Sequence, residues 1–220
     1  MGTEKSAGIV LFRNDSNKNE FLLLNYPQGH WDFIKGKVEE NETTHETAIR
    51  ETKEETGISN IEFIDGFEQS VQEMHAPNSI CFGCGPANPD GLMIRSFRSE
   101  RGLHMEFQPK EEHQAFPGMI NGGIIGTLLD CHGNWTAAMA LMEQSGEDAP
   151  PCTVTASYSI QLRRPTPFGP VLTVKGEVVS IEEDRANVRM TLTCDGNLCA
   201  KGEGLFVSVK EGHPAFHRWS

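Results

Sequence analysis

Residues 113–130 read His-Gln-Ala-Phe-Pro-Gly-Met-Ile-Asn-Gly-Gly-Ile-Ile-Gly-Thr-Leu-Leu-Asp: a glycine pair opening an apolar helix, then a carboxylate a little over two turns later. The N–H groups of the first turn, around Gly122 and Gly123, have no partner inside a helix and sit at the positive end of its dipole, which suits a developing oxyanion. Asp130, read as close to those amides, can attack a carbonyl or activate a water. The same letters also fit a plain turn and a solvent-facing Asp, so the segment alone leaves both readings open. Two other groups carry chemistry. Glu51, Glu54 and Glu55 are related by i, i+3 and i+4, so three carboxylates share one helix face, a crowding that a divalent cation relieves. Cys81 and Cys84 form a C-x-x-C. Zinc would need two further ligands, which no second C-x-x-C or H-x3-H supplies, so both thiols are expected to pack as small hydrophobes in a tight loop beside the substrate entrance.

The elements that position Asp130 follow from pattern. After it, Gly133, Ala137, Ala138 and Ala140 let a long helix over Cys131–Gln144 lie close against a sheet. Four strands are predicted at Thr153–Arg163, Val171–Ile181, Arg185–Cys194 and Leu198–Lys210, separated by Pro/Gly-rich or charged turns. In Arg185–Cys194 the series Ala186, Val188, Met190, Leu192 alternates with Asn187, Arg189, Thr191, Thr193, the pattern of a sheet buried on one face. Two more strands are predicted at Leu92–Phe97 and Leu103–Gln108. His132 points about 200° around the helix from Asp130 and is read as buried or capping. Phe116, Met119, Trp135 and Met139 fit either an apolar tunnel or ordinary core.

A long helix wrapped by an antiparallel sheet is the plan of the hotdog fold. The segments Cys81-Phe82-Gly83-Cys84-Gly85-Pro86-Ala87-Asn88-Pro89-Asp90-Gly91-Leu92, Asn121-Gly122-Gly123 with Asp130, Thr153-Val154-Thr155-Ala156-Ser157 and Arg163-Arg164-Pro165-Thr166-Pro167 resemble the small acyl-CoA thioesterases of that fold, from about residue 76 to the C-terminus. The resemblance implies Asp130 as nucleophile or general base, Gly122 and Gly123 as oxyanion-hole amides, and Thr155 in support. It also implies a homodimer or dimer of dimers in which one subunit gives Asp130 and the other the amides. Asn121 stands where many relatives carry His; an amide can donate a hydrogen bond to a thioester oxygen but cannot exchange a proton near neutral pH. Arg163 and Arg164 are candidates for the phosphates of CoA, or else close a strand.

The other end of the chain resembles the Nudix hydrolases that act on diadenosine polyphosphates. Residues 36–58 follow G-x5-E-x7-R-E-U-x-E-E-x-G-U through Gly36, Glu42, Arg50, Glu51, Glu54, Glu55, Gly57 and Ile58, departing only at Thr52, where an aliphatic residue is usual. The resemblance implies entry strands at Ser6–Phe12, Glu20–Tyr26 and Trp31–Lys37, and Glu51, Glu54 and Glu55 as a candidate Mg²⁺ site. Only Asn60–Met74 separates the box region from the Cys81 motif, so the Nudix part reads as truncated to its first half, with an open face that something must cover. The fold class expected is therefore α+β, a hotdog domain over 76–220 preceded by a partial Nudix-like α/β segment over 1–75.

Charge and composition narrow the function. Residues 1–75 carry 7 Lys and Arg against 15 Asp and Glu, and 76–220 carry 12 against 16, for a net charge of −12 in 220 residues. Such acidity argues against a nucleic-acid surface. Met1–Lys18 has no signal-peptide core, and no apolar run is long enough to span a bilayer, so a cytoplasmic protein with six free thiols and no membrane contact is expected. The reading is a hydrolase of acyl-CoA thioesters that needs no cofactor for that reaction. The alternatives are a Mg²⁺-dependent Nudix hydrolase of a nucleoside diphosphate-linked compound and a non-catalytic acyl-CoA-binding module.

Overall fold

The computed structural model describes residues 6–15, 18–27, 29–40, 42–63 and 69–219. Asn41 of the box, residues 64–68 of the stretch that follows it and the first five residues lie outside these. The chain divides into two compact units, Met1–Gly66 and Phe67–Ser220.

The first unit holds six short strands, β1 (Ser6–Ile9), β2 (Phe12–Asp15), β3 (Lys18–Phe21), β4 (Leu24–Asn25), β5 (Trp31–Asp32) and β6 (Ile34–Lys37), and one helix, α1 (Thr44–Thr56). They pair antiparallel as β1–β6, β2–β3 and β4–β5, three separate two-stranded ladders. Each expected entry strand is thus present but broken or shortened. Helix α1 starts with a capping box, Thr43 accepting from the Glu46 amide while Glu46 accepts from the Thr43 amide, and ends where Gly57 adopts φ 74°. It buries Thr47, Ala48 and Thr52. The polar Thr52 is tolerated because its hydroxyl donates to the Ala48 carbonyl at 2.6 Å. Little else is buried here beside Ala7 and Ile34, while Phe21, Leu23, Trp31, Phe33 and Phe63 stay exposed.

The second unit begins with a short helix, α2 (Val71–His75), followed by β7 (Phe97–Ser99), β8 (Gly102–Phe107), β9 (Gln114–Phe116), β10 (Met119–Ile120), the long helix α3 (Gly122–Ser145), and β11 (Thr153–Leu162), β12 (Leu172–Glu182), β13 (Arg185–Cys194) and β14 (Asn197–Ser208). Six strands form one antiparallel sheet in the order β11-β14-β13-β12-β8-β7, and α3 packs across five of them. This is the hotdog arrangement. The alternation in β13 holds, with Ala186, Val188, Met190 and Leu192 buried. One expected strand is corrected: 92–96 is not in the sheet. Its donors go elsewhere, Leu92 N–H to Phe82 O at 2.8 Å, Ile94 N–H to Gly83 O at 3.0 Å and Ser96 N–H to Gln72 Oε1 at 2.8 Å, and Met93 takes φ 55°. A period-two apolar pattern there serves a loop packed on the Cys81–Cys84 turn.

Small residues do bring α3 onto the sheet. Ala137 and Ala138 are fully buried, and a Cβ built on Gly133 would lie 2.8 Å from both Met190 Sδ and Phe206 Cζ. Gly133→Ala should therefore destabilise this unit by about 1–3 kcal/mol, read as a lower denaturant midpoint in tryptophan fluorescence; an unchanged midpoint would mean the helix is not held at this distance.

Candidate active site

Asp130 lies half-buried on the face of α3 that looks toward β11. That face carries Gly122, Gly126 and Asp130 at four-residue intervals, which brings them into one line along the helix. A Cβ on Gly122 would meet Leu162 at 3.5 Å, one on Gly126 would meet Ile160 at 3.6 Å and the Tyr158 hydroxyl at 4.0 Å, and Asp130 meets Thr155. Helix and edge strand thus run in opposite directions with glycines keeping the space between them open near the helix start. Thr155 Oγ1 donates to Asp130 Oδ1 at 2.7 Å. A register shift between Thr155 and Ser157, one extra residue in β11, lies immediately beside this contact, and such bulges re-aim side chains.

Burial pushes the Asp130 carboxyl above its ordinary value, the Thr155 hydrogen bond and the nearby Arg218 guanidinium pull it partly back, and Cys81 adds to the rise. A carboxylate poised upward in this way is a better proton acceptor near neutrality than an exposed one. Arg218 donates to Thr153 O at 2.9 Å, and its neighbour Trp219 stacks on Trp135 with ring centroids 4.3 Å apart. The C-terminal turn thereby places a cation near Asp130, a contribution that the sequence pattern did not reveal.

The helix start differs in detail from the sequence reading. Asn121 is the N-cap of α3: its Oδ1 accepts the Gly123 N–H at 2.7 Å. The Gly123 amide is therefore occupied in this arrangement, and among the described residues the Gly122 amide is the one at this glycine pair with no such cap. The occupied carboxamide oxygen leaves Asn121 its NH₂ group for a ligand. Asn immediately before a glycine-led helix is itself the sequence signal for a cap. Gly122 and Asp130 are also not close: eight residues of helix separate them by about 12 Å along the axis. No single carbonyl can touch both in one chain.

The remaining predicted residues are placed as follows. Arg163 and Arg164 follow Leu162, which touches the helix start; both are exposed, Arg163 Nη1 reaching Gln161 Oε1 at 3.5 Å and Arg164 Nη1 reaching Asn197 Oδ1 at 3.1 Å. His132 is fully buried, donating to Leu103 O at 3.1 Å and bonded to Ser96 Oγ at 2.8 Å, and burial lowers it to about 4. It is a neutral core residue. Trp135 and Met139 are core, while Phe116 is exposed. A cleft of about 500 Å³ lies elsewhere, between the β7–β8 turn and the last turns of α3, and its lining includes neither Asp130 nor Gly122.

In the first unit the box is organised by Arg50. Its guanidinium meets both oxygens of Glu42 at 3.0 Å, Glu51 at 2.6 Å, Glu54 at 3.3 Å and Lys37 O at 3.0 Å. Arg50 draws the Glu42 carboxyl down to about 2. A Cβ on Gly36 would fall 1.8 Å from Glu51 Oε1, so a larger residue there would displace the Glu51 carboxylate. Glu55 accepts from the Tyr26 hydroxyl at 3.1 and 3.2 Å. The donor chemistry suits Mg²⁺, but Glu51 and Glu54 turn to Arg50 and Glu55 to Tyr26, so the three carboxylates do not converge on one point in this arrangement.

Two family matches cover almost the whole chain, with the NUDIX domain matching residues 2–115. The chain belongs to the Nudix domain family. The thioesterase superfamily matches residues 117–200. The expected order, a Nudix segment followed by a hotdog thioesterase domain, is present. Curated relatives of the Nudix part include the asymmetrical bis(5'-nucleosyl)-tetraphosphatase of Mus musculus, 30% identical over 124 residues, 51% of this chain and 76% of that protein. The Caenorhabditis elegans enzyme of the same name is 49% identical over 57 residues, 25% of this chain and 41% of that protein, so the chain spans well under half of its length. Among solved structures, a thioesterase superfamily protein from Shewanella loihica is 30% identical, covering 57% of this chain and 98% of that one with a TM-score of 0.46. The Nudix match runs past residue 66, yet Val71, Ala76, Leu92, Ile94 and Phe107 pack in the core of the second unit.

Proposed function

We propose that the chain hydrolyses acyl-CoA thioesters at a site completed by two copies of the hotdog unit. The observation that carries this reading is the half-buried Asp130, held by Thr155, about 12 Å of helix away from the uncapped Gly122 amide. Asp130 of one copy takes a proton from water as the water attacks the thioester carbon, or attacks directly as nucleophile to form a mixed anhydride that water then hydrolyses, releasing the acid and restoring the carboxylate. The oxyanion is received by the Gly122 amide of the other copy. Collapse expels the CoA sulfur, which in the water route recovers the proton from Asp130. The edge strand β11, with Tyr158 and Leu162 exposed on it, offers unpaired backbone for that second copy. Arg163 and Arg164 lie next to the helix start, where the phosphates of CoA would be met.

We assign the Nudix module, bounded at residue 75, a structural role in a cytoplasmic homo-oligomer, because Arg50 and Tyr26 engage its box carboxylates with one another. The second reading, Mg²⁺-dependent cleavage of a nucleoside diphosphate linkage, is favoured by the intact box and the family match. The experiment that tests between them is a panel of acyl-CoA thioesters and dinucleoside polyphosphates assayed with Mg²⁺ and with EDTA. Thioester hydrolysis that persists in EDTA is expected. Mg²⁺-dependent dinucleotide cleavage, lost in Glu54→Gln with Glu55→Gln, would replace the proposal, and tight acyl-CoA binding without turnover would leave only a binding module.

Thr155 gives a pH test. Its hydroxyl stabilises the charged carboxylate, so Thr155→Val raises the Asp130 pKa further and the acid limb of kcat/KM moves to higher pH. The rate on the plateau should fall about tenfold, in line with a hydrogen bond to a charged group. An acid limb unmoved by Thr155→Val would contradict Asp130 as the titrating base.

A further inference from the structure

Cys131 follows Asp130 on α3 and points at the turn that carries Cys81 and Cys84. The three sulfurs lie within 4.8 Å of one another, two of them nearly and one partly buried, and among the described residues this is the one group of three or more His, Cys, Asp or Glu side chains close enough to share an ion. Cys81 Sγ and Cys131 Sγ are 4.0 Å apart. A metal with bonds to sulfur of about 2.3 Å in tetrahedral geometry holds its thiolates about 3.8 Å apart. The zinc reading of the C-x-x-C lacked two ligands in the sequence; the fold supplies one of them from 47 residues downstream of Cys84.

The surroundings are shaped for this approach. A Cβ on Gly83 would fall 2.3 Å from Cys131 Sγ, so only glycine lets the helix thiol reach the turn. A Cβ on Gly85 would fall 2.4 Å from Cys81 N, and the Gly85 N–H donates to Cys81 O at 2.8 Å, which closes the turn tightly after Cys84. Trp135 Nε1–H donates to Cys84 Sγ at 3.3 Å. Donors aimed at sulfur favour thiolate and orient it, as the outer shell of a metal site does.

We propose that Cys81, Cys84 and Cys131 form a three-thiolate site for a thiophilic d¹⁰ cation, Zn²⁺ or Cu⁺, with a fourth position for water or an exchangeable ligand on the half-exposed Cys81 side. Soft sulfur ligands select these ions over Mg²⁺. The bound ion would tie the 81–96 loop to α3 beside Asp130. The site stands apart from the thioesterase reading and holds or fails without it.

The test uses the full-length reduced protein after chelator treatment. Co²⁺, a coloured stand-in for Zn²⁺, is titrated while the sulfur-to-cobalt charge-transfer absorption is followed; carboxylates of the Nudix box give no such band. A separate arm measures Cu⁺ by competition with a coloured Cu⁺ chelator, which tells the two ions apart. One equivalent of ion is expected, with Zn²⁺ displacing Co²⁺ if zinc is preferred, and Cys131→Ser should weaken binding at least about tenfold. Cys81→Ser, at the half-exposed position, should do the same and guards against misfolding of the Cys131 variant, while Cys152→Ser, outside the cluster, should bind like wild type. Bound Zn²⁺ or Cu⁺ should also raise the melting temperature of wild type and not of Cys131→Ser. No charge-transfer band together with no Cu⁺ uptake, or binding undiminished in both Cys131→Ser and Cys81→Ser, would overturn the proposal.

Discussion

Asp130→Asn and Asp130→Ala are expected to lose on the order of 10²-fold or more in kcat for acyl-CoA hydrolysis, the loss typical of a positioned base or nucleophile. Asp130 is the acidic group on the α3 face that looks toward β11, half-buried and accepting a hydrogen bond from Thr155, so its replacement removes chemistry without opening a hole in the core. Near-UV dichroism and sedimentation should remain those of the wild type. The Asn variant is the sharper of the two, since it keeps volume and can still accept from Thr155 but takes no proton. Wild-type turnover in Asp130→Ala would remove this residue from the mechanism. The Glu54→Gln with Glu55→Gln pair gives the contrast, because thioesterase activity should be unaffected by it.

The parts of this structure that were legible in the sequence are those written in local spacing. The box helix announced itself through its carboxylates and glycines, and the capping box of Thr43 and Glu46 that starts it is seen in the structure. Strand β13 was legible because one buried face enforces period two, and α3 because Gly133, Ala137 and Ala138 allow close approach to the sheet. The strand predicted at Leu92–Phe97 shows the limit of such reasoning. Leu92, Ile94 and Ser96 are all buried, as alternation requires, but their amides bond to Phe82, Gly83 and Gln72, and a pattern of burial does not say where hydrogen bonds go.

The candidate site was legible in its residues and not in its distances. The pairing of Asp130 with Thr155 follows the resemblance, whereas the reading of Gly122 and Asp130 as close neighbours does not survive eight residues of helix. Asn121 was read as a ligand to substrate, and its first engagement is with Gly123. Contacts made across long stretches of chain had no signal at all: Arg218 and Trp219 return to Asp130 and Trp135 from the last residues, and Cys131 joins a turn 50 positions earlier. Among the described residues, no helix is long and apolar enough to cross a membrane.

Gly122→Pro is expected to cost on the order of 10²–10³-fold in kcat, the effect of removing one oxyanion donor. Proline deletes the N–H itself, and the position accepts it: Gly122 is the first residue of α3, where proline is favoured, Asn121 before it has φ −64° and ψ 134°, compatible with a following proline, and a Cβ would meet Leu162 only at 3.5 Å. Alone, this variant and Asp130→Ala should each be nearly dead. The measurement that bears most directly on a site shared between two copies is the activity of the two unfolded together and refolded as a mixture. In a mixed dimer one site joins an intact Asp130 to an intact Gly122 and the other has neither, so random pairing should return about a quarter of the wild-type rate from two inactive proteins in a two-fold symmetric assembly. A mixture no more active than its components would place both groups in one chain and contradict the account.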